Sequence, residues 1–345
     1  MSAADKLTPG DTRVKYETAQ IRGKTYSYML GEPEGQPKDT IVLVHGFPDI
    51  GFGWRCQIPY LISLGLRVVV PDMLGYGGTD APAEIEPYSL KSLSDDLAEL
   101  ARKFVGEDGQ IILGGHDWGG AVVWRLPLWH PKLIKGVFSV CTPFPPPRSE
   151  YHDLKDVIAL GILTNFKYQL QFRGPETEAN IQGEEKLRQF FTCMFGGRTS
   201  DGEPAFDVSK GILFDKLDSL KPSPLLSKEE LEYYVKKYAA HPAPELHGPL
   251  NWYRTAKLNF EEDRPLAETP TVLEMPSLLV TAEKDTALPP EMARNMDKYF
   301  KDLTKKSVNA SHWALTQAGP QVNEYIGEWI KSSVWCEALP TKSSL

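Results

Sequence analysis

Short apolar runs separated by polar stretches dominate the first 140 residues of the chain. Loose alternation of apolar and polar positions from 14 to 30 predicts a pair of antiparallel strands. Apolar, β-branched runs without alternation predict strands buried on both faces. These runs are TIVLVHG at 40–46, RVVVPD at 67–72, QIILGG at 110–115, GVFSV at 136–140 and SLLVTA at 277–282. Together they predict a largely parallel sheet.

Helical periodicity lies between several of these strands. It is clearest where Leu90, Leu93, Leu97 and Leu100 share one face of a helix that would begin after Ser89, a favoured N-cap residue. Alternating strands and helices are typical of an α/β fold with right-handed crossovers. In such folds the binding sites lie beyond the carboxyl ends of the strands.

The alternation stops at CTPFPPP, residues 141–147, and resumes only at MPSLLV, residues 275–280. The interval has helical periodicity, many aromatic residues and several helix breakers. It therefore predicts a mainly helical cap, residues 145–270, inserted between two parts of one α/β core, residues 1–144 and 271–345.

Composition and charge restrict the class of partner. The chain has 345 residues, of which 41% are hydrophobic and 24% charged, as in a typical folded enzyme. A net charge of −8 without a basic stripe argues against nucleic acid and anionic membranes as partners. A small neutral molecule is the expected ligand, and the pattern indicates no oligomeric state.

Targeting and redox signals are few. The polar N-terminus lacks the features of a signal peptide, and no apolar run reaches the roughly 18 residues of a membrane span, so a cytoplasmic location is expected. The final SSL only loosely resembles a peroxisomal SKL signal, which leaves the peroxisome as the weaker alternative. The four cysteines lie far apart without CxxC spacing, so neither a disulfide nor a metal site is expected.

The strongest chemical signal is the segment GGHDWGG at 114–120, which joins a predicted strand to a predicted helix. Its GxDxG pattern matches the nucleophile elbow GxSxG, in which glycines allow a sharp turn that exposes the central side chain. Asp117 takes the nucleophile position. The alternative is that Asp117 only caps the following helix.

Two further residues complete a possible relay. Asp285 follows the predicted strand at 277–282, and His312 is expected on the loop after another late strand, which gives the order nucleophile, acid, histidine. Asp285 could instead be a turn carboxylate, with Glu283 as its nearest rival, and His312 could be one surface histidine among seven. The segment HGFP at 45–48 follows another strand and adds to the pattern.

These segments, HGFPD, GGHDWGG, TAEKD and SHW, resemble the signature segments of the α/β-hydrolase-fold epoxide hydrolases over residues 40–313. The resemblance implies an α/β-hydrolase fold. It also implies two cap tyrosines, and the segments KYQLQF and GPLNWYR identify them as Tyr168 and Tyr253. Phe47 and Trp118 would supply backbone N–H groups to an oxyanion hole.

The remaining family features have structural interpretations. His45 and His116 are expected to have structural roles, with His116 pointing away from the nucleophile by strand alternation. The resemblance further implies a cis peptide bond before Pro48.

The resemblance implies a two-step reaction that needs water but neither a metal nor an organic cofactor. A carboxylate with a reference pKa of about 3.9 is anionic at neutral pH, so Asp117 could attack an epoxide while the tyrosines donate to the leaving oxygen. His312, oriented by Asp285, would then activate water to hydrolyse the ester and release a vicinal diol.

Two other functions remain open. A haloalkane dehalogenase would share the aspartate nucleophile, although that family usually has a halide-binding Asn at the position of Phe47. A non-catalytic ligand-binding protein could use the same fold. Detoxification, lipid-epoxide metabolism and biosynthesis would all use the same residues.

Overall fold

The computed structural model describes residues 5–269 and 271–337, and these contain ten strands. In chain order they are β1 Lys15–Ile21, β2 Lys24–Gly31, β3 Asp39–Val44, β4 Leu66–Pro71, β5 Ile111–His116, β6 Ile134–Val140, β7 Phe206–Asp207, β8 Gly211–Ile212, β9 Ser277–Ala282 and β10 Leu303–Val308. Eight of them form one sheet in the order β1-β2-β4-β3-β5-β6-β9-β10. The first two pairings are antiparallel and the rest are parallel. The predicted α/β class is confirmed.

Twelve α-helices lie in the described residues. They are α1 Ile58–Ser63, α2 Leu90–Val105, α3 Trp118–Trp129, α4 Leu154–Ala159, α5 Tyr168–Arg173, α6 Glu176–Asn180, α7 Gly183–Met194, α8 Lys228–Tyr238, α9 His247–Arg254, α10 Ala256–Asp263, α11 Ala314–Gln317 and α12 Gly319–Trp329. In α2, Ser89 caps the first turn by accepting a hydrogen bond from the Ser92 N–H, at 3.0 Å. The leucine face of α2 is buried, as the periodicity predicts.

Helices cover both faces of the main sheet. Adjacent residues of a strand point to opposite faces, and β6 shows this directly. The ring of Phe138 packs 5.9 Å from that of Trp329 in α12, whereas Ser139 lies against Gly120 in α3. The sheet core is therefore buried between α2 and α3 on one side and α1 and α12 on the other.

The chain between β6 and β9, here called the insertion segment, is mainly helical. It contains α4 to α10 and the small hairpin of β7 and β8. The six parallel strands β4, β3, β5, β6, β9 and β10 end at one edge of the main sheet, so the loops that follow them converge there.

One strand of the main sheet has no apolar run that marks its position in the sequence. β10 has the sequence LTKKSV, with partly exposed positions and two lysines, and it forms the edge of the sheet beside β9. Edge strands are often marked by lysine because charge discourages pairing with other chains. This protection removes the apolar signal by which the buried strands were recognised.

Within the described ranges, no helix has the length and apolar character needed to span a bilayer. The C-terminal SSL lies outside the described residues.

Candidate active site

Asp117 occupies a sharp turn between β5 and α3. Its backbone angles are φ 55° and ψ −124°, an unfavourable conformation for a residue with a side chain. The turn is tightly packed and requires glycine at two positions. A Cβ at Gly115 would collide with the Gly119 carbonyl, and a Cβ at Gly119 would collide with the Val44 carbonyl. The glycines thus allow the chain to reverse close to β3.

The Asp117 carboxylate is held by the loop after β3. Among the described residues it accepts no capping hydrogen bond from α3, which argues against the helix-cap interpretation. Its Oδ1 accepts a hydrogen bond from the Phe47 N–H at 2.7 Å, and a Cβ at Gly46 would collide with the Asp117 side chain. Thr142 Oγ1 donates to the Asp117 carbonyl at 2.7 Å. One carboxylate oxygen is therefore held by a backbone N–H, and the other faces His312.

His312 lies between two carboxylates. Its Nε2 is 3.3 Å from Asp117 Oδ2, and its Nδ1 is 2.8 Å from Asp285 Oδ2. The other oxygen of Asp285 accepts hydrogen bonds from the N–H groups of Ala287 and Leu288, each at 2.9 Å. Glu283, the alternative acid, is exposed.

The charged groups of this relay shift one another's pKa values. Burial alone would raise the pKa of Asp117, but the hydrogen bond and charge of His312 bring it below its ordinary value. Burial likewise opposes ionisation of Asp285, yet the charge of His312 and the backbone N–H groups lower the pKa of Asp285 to about 2. The pKa of His312 rises well above its usual range because the two carboxylates outweigh its burial. The relay therefore favours an imidazolium between two carboxylates.

Tyr168 and Tyr253 enter the site from the insertion segment. Tyr168 begins α5 and Tyr253 lies near the end of α9; they are 8% and 3% exposed, and their ring centroids are 6.3 Å apart. Burial raises the pKa of both tyrosines, and the charge of Asp117 raises each of them further. Both hydroxyl groups are therefore neutral near pH 7.

Phe47 and Trp118 border the tyrosines. Each of their rings packs edge-on, 5.2 Å from the ring of Tyr253. Trp118 is the first residue of α3, so its backbone N–H has no acceptor within that helix. The Phe47–Pro48 peptide bond is cis, as expected.

Two cavities meet at Asp117. One of about 200 Å³ is lined by Asp117, Tyr168, Tyr253, His312 and other residues. A second, of about 370 Å³, shares Asp117 and Tyr168 with the first. The walls are largely apolar and include residues that the sequence did not single out, namely Met194, Phe206 and Val208 in the first and Phe144, Phe166 and Met292 in the second.

Comparison with known proteins places this geometry in a family. The family model for the alpha/beta hydrolase fold matches residues 39–318. The epoxide hydrolase srdG of Neurospora crassa is 41% identical over 342 residues, which are 95% of this chain and 98% of that protein. The chain belongs to the α/β-hydrolase-fold epoxide hydrolases. The resemblance inferred from the signature segments is thereby confirmed.

Other members of the family give the same picture. The bifunctional epoxide hydrolase 2 of Rattus norvegicus is 33% identical over 308 residues, which are 88% of this chain but 53% of that longer protein. The crystal structure of epoxide hydrolase VrEH1 from Vigna radiata has a TM-score of 0.76 at 26% identity, over 93% of this chain and 98% of that one. Epoxide hydrolase A from Mycobacterium thermoresistibile also gives 0.76, at 29% identity, over 92% and 98%.

His116, a residue of the family's GGHDWGG segment, lies closer to the relay than strand alternation suggested. Its ring centroid is 4.9 Å from that of His312, and its Nε2 donates to the His312 carbonyl at 2.8 Å. The Cys141 Sγ lies 3.5 Å from the same oxygen. Both side chains support the backbone that carries His312. No feature of the sequence predicted these contacts.

His45, in the family's HGFP segment, has both ring nitrogens paired. Nε2 accepts from the Met73 N–H and Nδ1 donates to the Gly46 carbonyl, each at 2.9 Å. His45 thus links the loops after β3 and β4, in keeping with a structural role.

Three side chains of metal-ligating type also lie close together beside the relay. In the described ranges, donor atoms of His116, Cys141 and His312 all lie within 4.8 Å of one another. However, both ring nitrogens of His312 face carboxylates, and Nε2 of His116 donates to a carbonyl. Hydrogen bonds and ion pairs therefore already engage both ring nitrogens of His312 and one ring nitrogen of His116.

Proposed function

We propose that this protein hydrolyses epoxides to vicinal diols through an ester formed on Asp117. The observation that supports this most strongly is a single cavity lined by a carboxylate, two neutral tyrosines and a histidine. The carboxylate is the nucleophile, the tyrosines serve the leaving oxygen, and the histidine activates water. The expected substrate is a small neutral epoxide, because much of the cavity wall is apolar.

Ring opening uses Oδ2 of Asp117, the oxygen that faces His312. Oδ1 is engaged by the Phe47 N–H, so Oδ2 attacks an epoxide carbon and breaks its bond to the ring oxygen. That oxygen would depart as a strongly basic alkoxide. Tyr168 and Tyr253 stabilise it by hydrogen bonds and supply a proton. The product is a glycol ester with a neutral carbonyl group.

Ester formation also prepares the histidine for the second step. In the free protein the carboxylates of Asp117 and Asp285 both raise the pKa of His312. Esterification neutralises Asp117 and removes one of these charges, so the pKa of His312 falls. The imidazolium can then give its proton to the tyrosine that lost one in ring opening, and the neutral imidazole acts as a base. The chemistry of the first step thus switches on the second.

Ester hydrolysis returns the nucleophile to its starting state. His312 takes a proton from water, and the hydroxide adds to the ester carbonyl carbon. The resulting oxyanion is stabilised by the N–H groups of Phe47 and Trp118. Collapse breaks the bond to the glycol oxygen, which receives the proton from His312. The Asp117 carboxylic acid then gives its proton to His312, which restores the carboxylate and the imidazolium. Asp285 keeps the imidazole oriented and stabilises its cation throughout.

The insertion segment contributes the proton-donating residues of this site. We propose that residues 145–270 form a cap on a core made of residues 1–144 and 271–345. Tyr168 and Tyr253 are the catalytic residues of the cap. Closure of the cavity by these residues would keep bulk water from the alkoxide and strengthen the hydrogen bonds to it.

The experiment is diol formation from a panel of aryl and alkyl epoxides by the purified protein, with Asp117→Ala as the blank. We expect diol from the wild type alone. Halide release from haloalkanes without diol formation would replace the proposal by a dehalogenase. A folded protein that does neither would be a ligand-binding member of the fold.

A further inference from the structure

The relative position of the two tyrosines depends on two short helices. Tyr168 is the first residue of α5, which has six residues, and Tyr253 is the last but one of α9, which has eight. Helices this short are marginal on their own, so contacts outside the helix must hold them. The contacts between α5 and α9 therefore contribute to where the two hydroxyl groups lie.

Each of these helices ends at an arginine that reaches the end of the other helix. Arg173, at the end of α5, donates from Nε to the Tyr253 carbonyl at 3.1 Å. Arg254, at the end of α9, donates from Nε to the Arg173 carbonyl at 3.2 Å and from Nη2 to the Gly174 carbonyl at 3.3 Å. Carbonyls at a helix C-terminus lack partners within the helix, and cationic side chains there are favourable. The two helix ends thus cap each other.

Further contacts hold the Arg254 guanidinium in place. Its Nη1 lies 2.7 Å from Glu178 Oε1 in α6 and donates to Asn251 Oδ1 at 2.9 Å. Its side chain is 14% exposed. A planar guanidinium can serve four acceptors at once in fixed directions, whereas a lysine ammonium has three donors on a flexible stem.

Arg173 is held less tightly on its outer side. Its Nη1 lies 3.6 Å from Asp153 Oδ2, and its side chain is 21% exposed. Phe172 precedes Arg173 in the chain, and its ring is 5.4 Å from that of Tyr168 and 5.1 Å from that of Tyr253. The arginines are therefore outside the cavity but linked to both tyrosines.

We propose that Arg173 and Arg254 are positioning residues that set the separation of the two tyrosine hydroxyls for ring opening. The inference rests on the proposed function, in which both hydroxyls serve one oxygen. Neither arginine is among the residues that line the 200 Å³ cavity. Their effect passes through the helix ends to the tyrosines, and a displacement of about 1 Å at a catalytic group can cost roughly 10²-fold in rate.

The test is single-turnover kinetics with an epoxide that the wild type hydrolyses, following the covalent ester by mass spectrometry. The variants are Arg173→Gln, Arg254→Gln and Arg254→Lys. Arg188→Gln is the matched control, because Arg188 pairs with Glu232 and Glu185 in the same insertion segment. Ester formation and ester decay are measured separately.

We expect ester formation to slow about 10- to 10²-fold in the glutamine variants and less in Arg254→Lys, with ester decay unchanged. The control should match the wild type in both steps. In a Tyr253→Phe background, Arg173→Gln should slow ester formation less than it does alone. Both changes act on the hydrogen bond from the Tyr253 hydroxyl to the leaving oxygen.

Equal slowing of both steps, or full additivity with Tyr253→Phe, would assign the arginines to stability alone and overturn the inference. If a glutamine variant does not fold, Arg254→Lys, which keeps the charge, decides the question by the same two rates. An active wild type with unaffected variants rejects only the positioning role. A wild type that forms no ester from any epoxide rejects the proposed function as well.

Discussion

The residues of the site come from two regions that hold their side chains by different means. Asp117, Asp285 and His312 lie on loops after β5, β9 and β10, so the register of one sheet brings them together. Tyr168 and Tyr253 lie on short helices held by aromatic contacts and reciprocal arginine caps. The sheet places groups through many cooperative hydrogen bonds, whereas the insertion segment places them through a few side chains.

This difference corresponds to a division of the proposed chemistry. Ring opening requires both regions, because the nucleophile is on the sheet and the acids are on the insertion segment. Ester hydrolysis requires only the sheet region. Substitutions in the insertion segment should therefore affect the first step alone, and substitutions in the relay should affect mainly the second.

The largest effect is expected from Asp117→Ala, which removes the one group that both steps share. Turnover should fall on the order of 10⁶-fold, as when a nucleophile is removed from other relays. Diol formation and ester formation, the latter followed by mass spectrometry, are the measurements. A variant that still forms an ester would show that another residue is the nucleophile, and thermal unfolding serves as the control for folding.

Joint replacement of Tyr168 and Tyr253 by Phe tests the role of the insertion segment in ring opening. Loss of both proton donors should slow ring opening by more than about 10⁴-fold, since one positioned acid contributes about 10²–10⁴. In the single variants ester formation should slow while ester decay stays at the wild-type rate. Normal ring opening in the double variant would reject the acid assignment. Tyr151→Phe, at a partly exposed tyrosine of the same segment, is a suitable control.

The two regions also differed in how far the sequence predicted them. The buried strands β3, β5 and β9 were recognised because their apolar runs lack alternation, and the glycine pattern around Asp117 marked the turn. The edge strand β10 was not recognised, because its lysines break the apolar run. Tertiary position overrode the local signal there.

The insertion segment gave no comparable signal. Composition cannot select two tyrosines from 14, and only family resemblance identified Tyr168 and Tyr253. The arginines that join their helices are likewise invisible to periodicity. Their partners are backbone carbonyls 80 or more residues away in the chain, which no local pattern encodes.

His312→Gln tests the role of the sheet region in ester hydrolysis. Glutamine cannot act as the water base, so ester decay should slow by about 10³–10⁴-fold while an ester still forms. The protein should gain a mass equal to that of the substrate. His152→Gln, at an exposed histidine of the insertion segment, is the control and should accumulate no ester. An unmodified His312→Gln protein after exposure to epoxide would mean that His312 is not the base.

Asp285→Asn should have the smallest effect on rate but the most specific effect on pH dependence. Ester decay should slow less than it does in His312→Gln, because the imidazole remains and only the stabilisation of the imidazolium by the carboxylate is lost. The decay should lose rate at low pH, where His312 is protonated and cannot act as a base.

The direction of the pH shift follows from the charges around His312. The negative charge of Asp285 raises the pKa of His312, so its removal lowers that pKa. A lower pKa keeps the imidazole neutral to lower pH, and the acid limb of the decay profile should move in that direction. Glu283→Gln removes a charge of the same sign at an exposed neighbour and should leave the limb in place. An acid limb that moves equally in both variants would reflect general electrostatics. A shift confined to Asp285→Asn would instead show that His312 is tuned by its direct partner on the sheet.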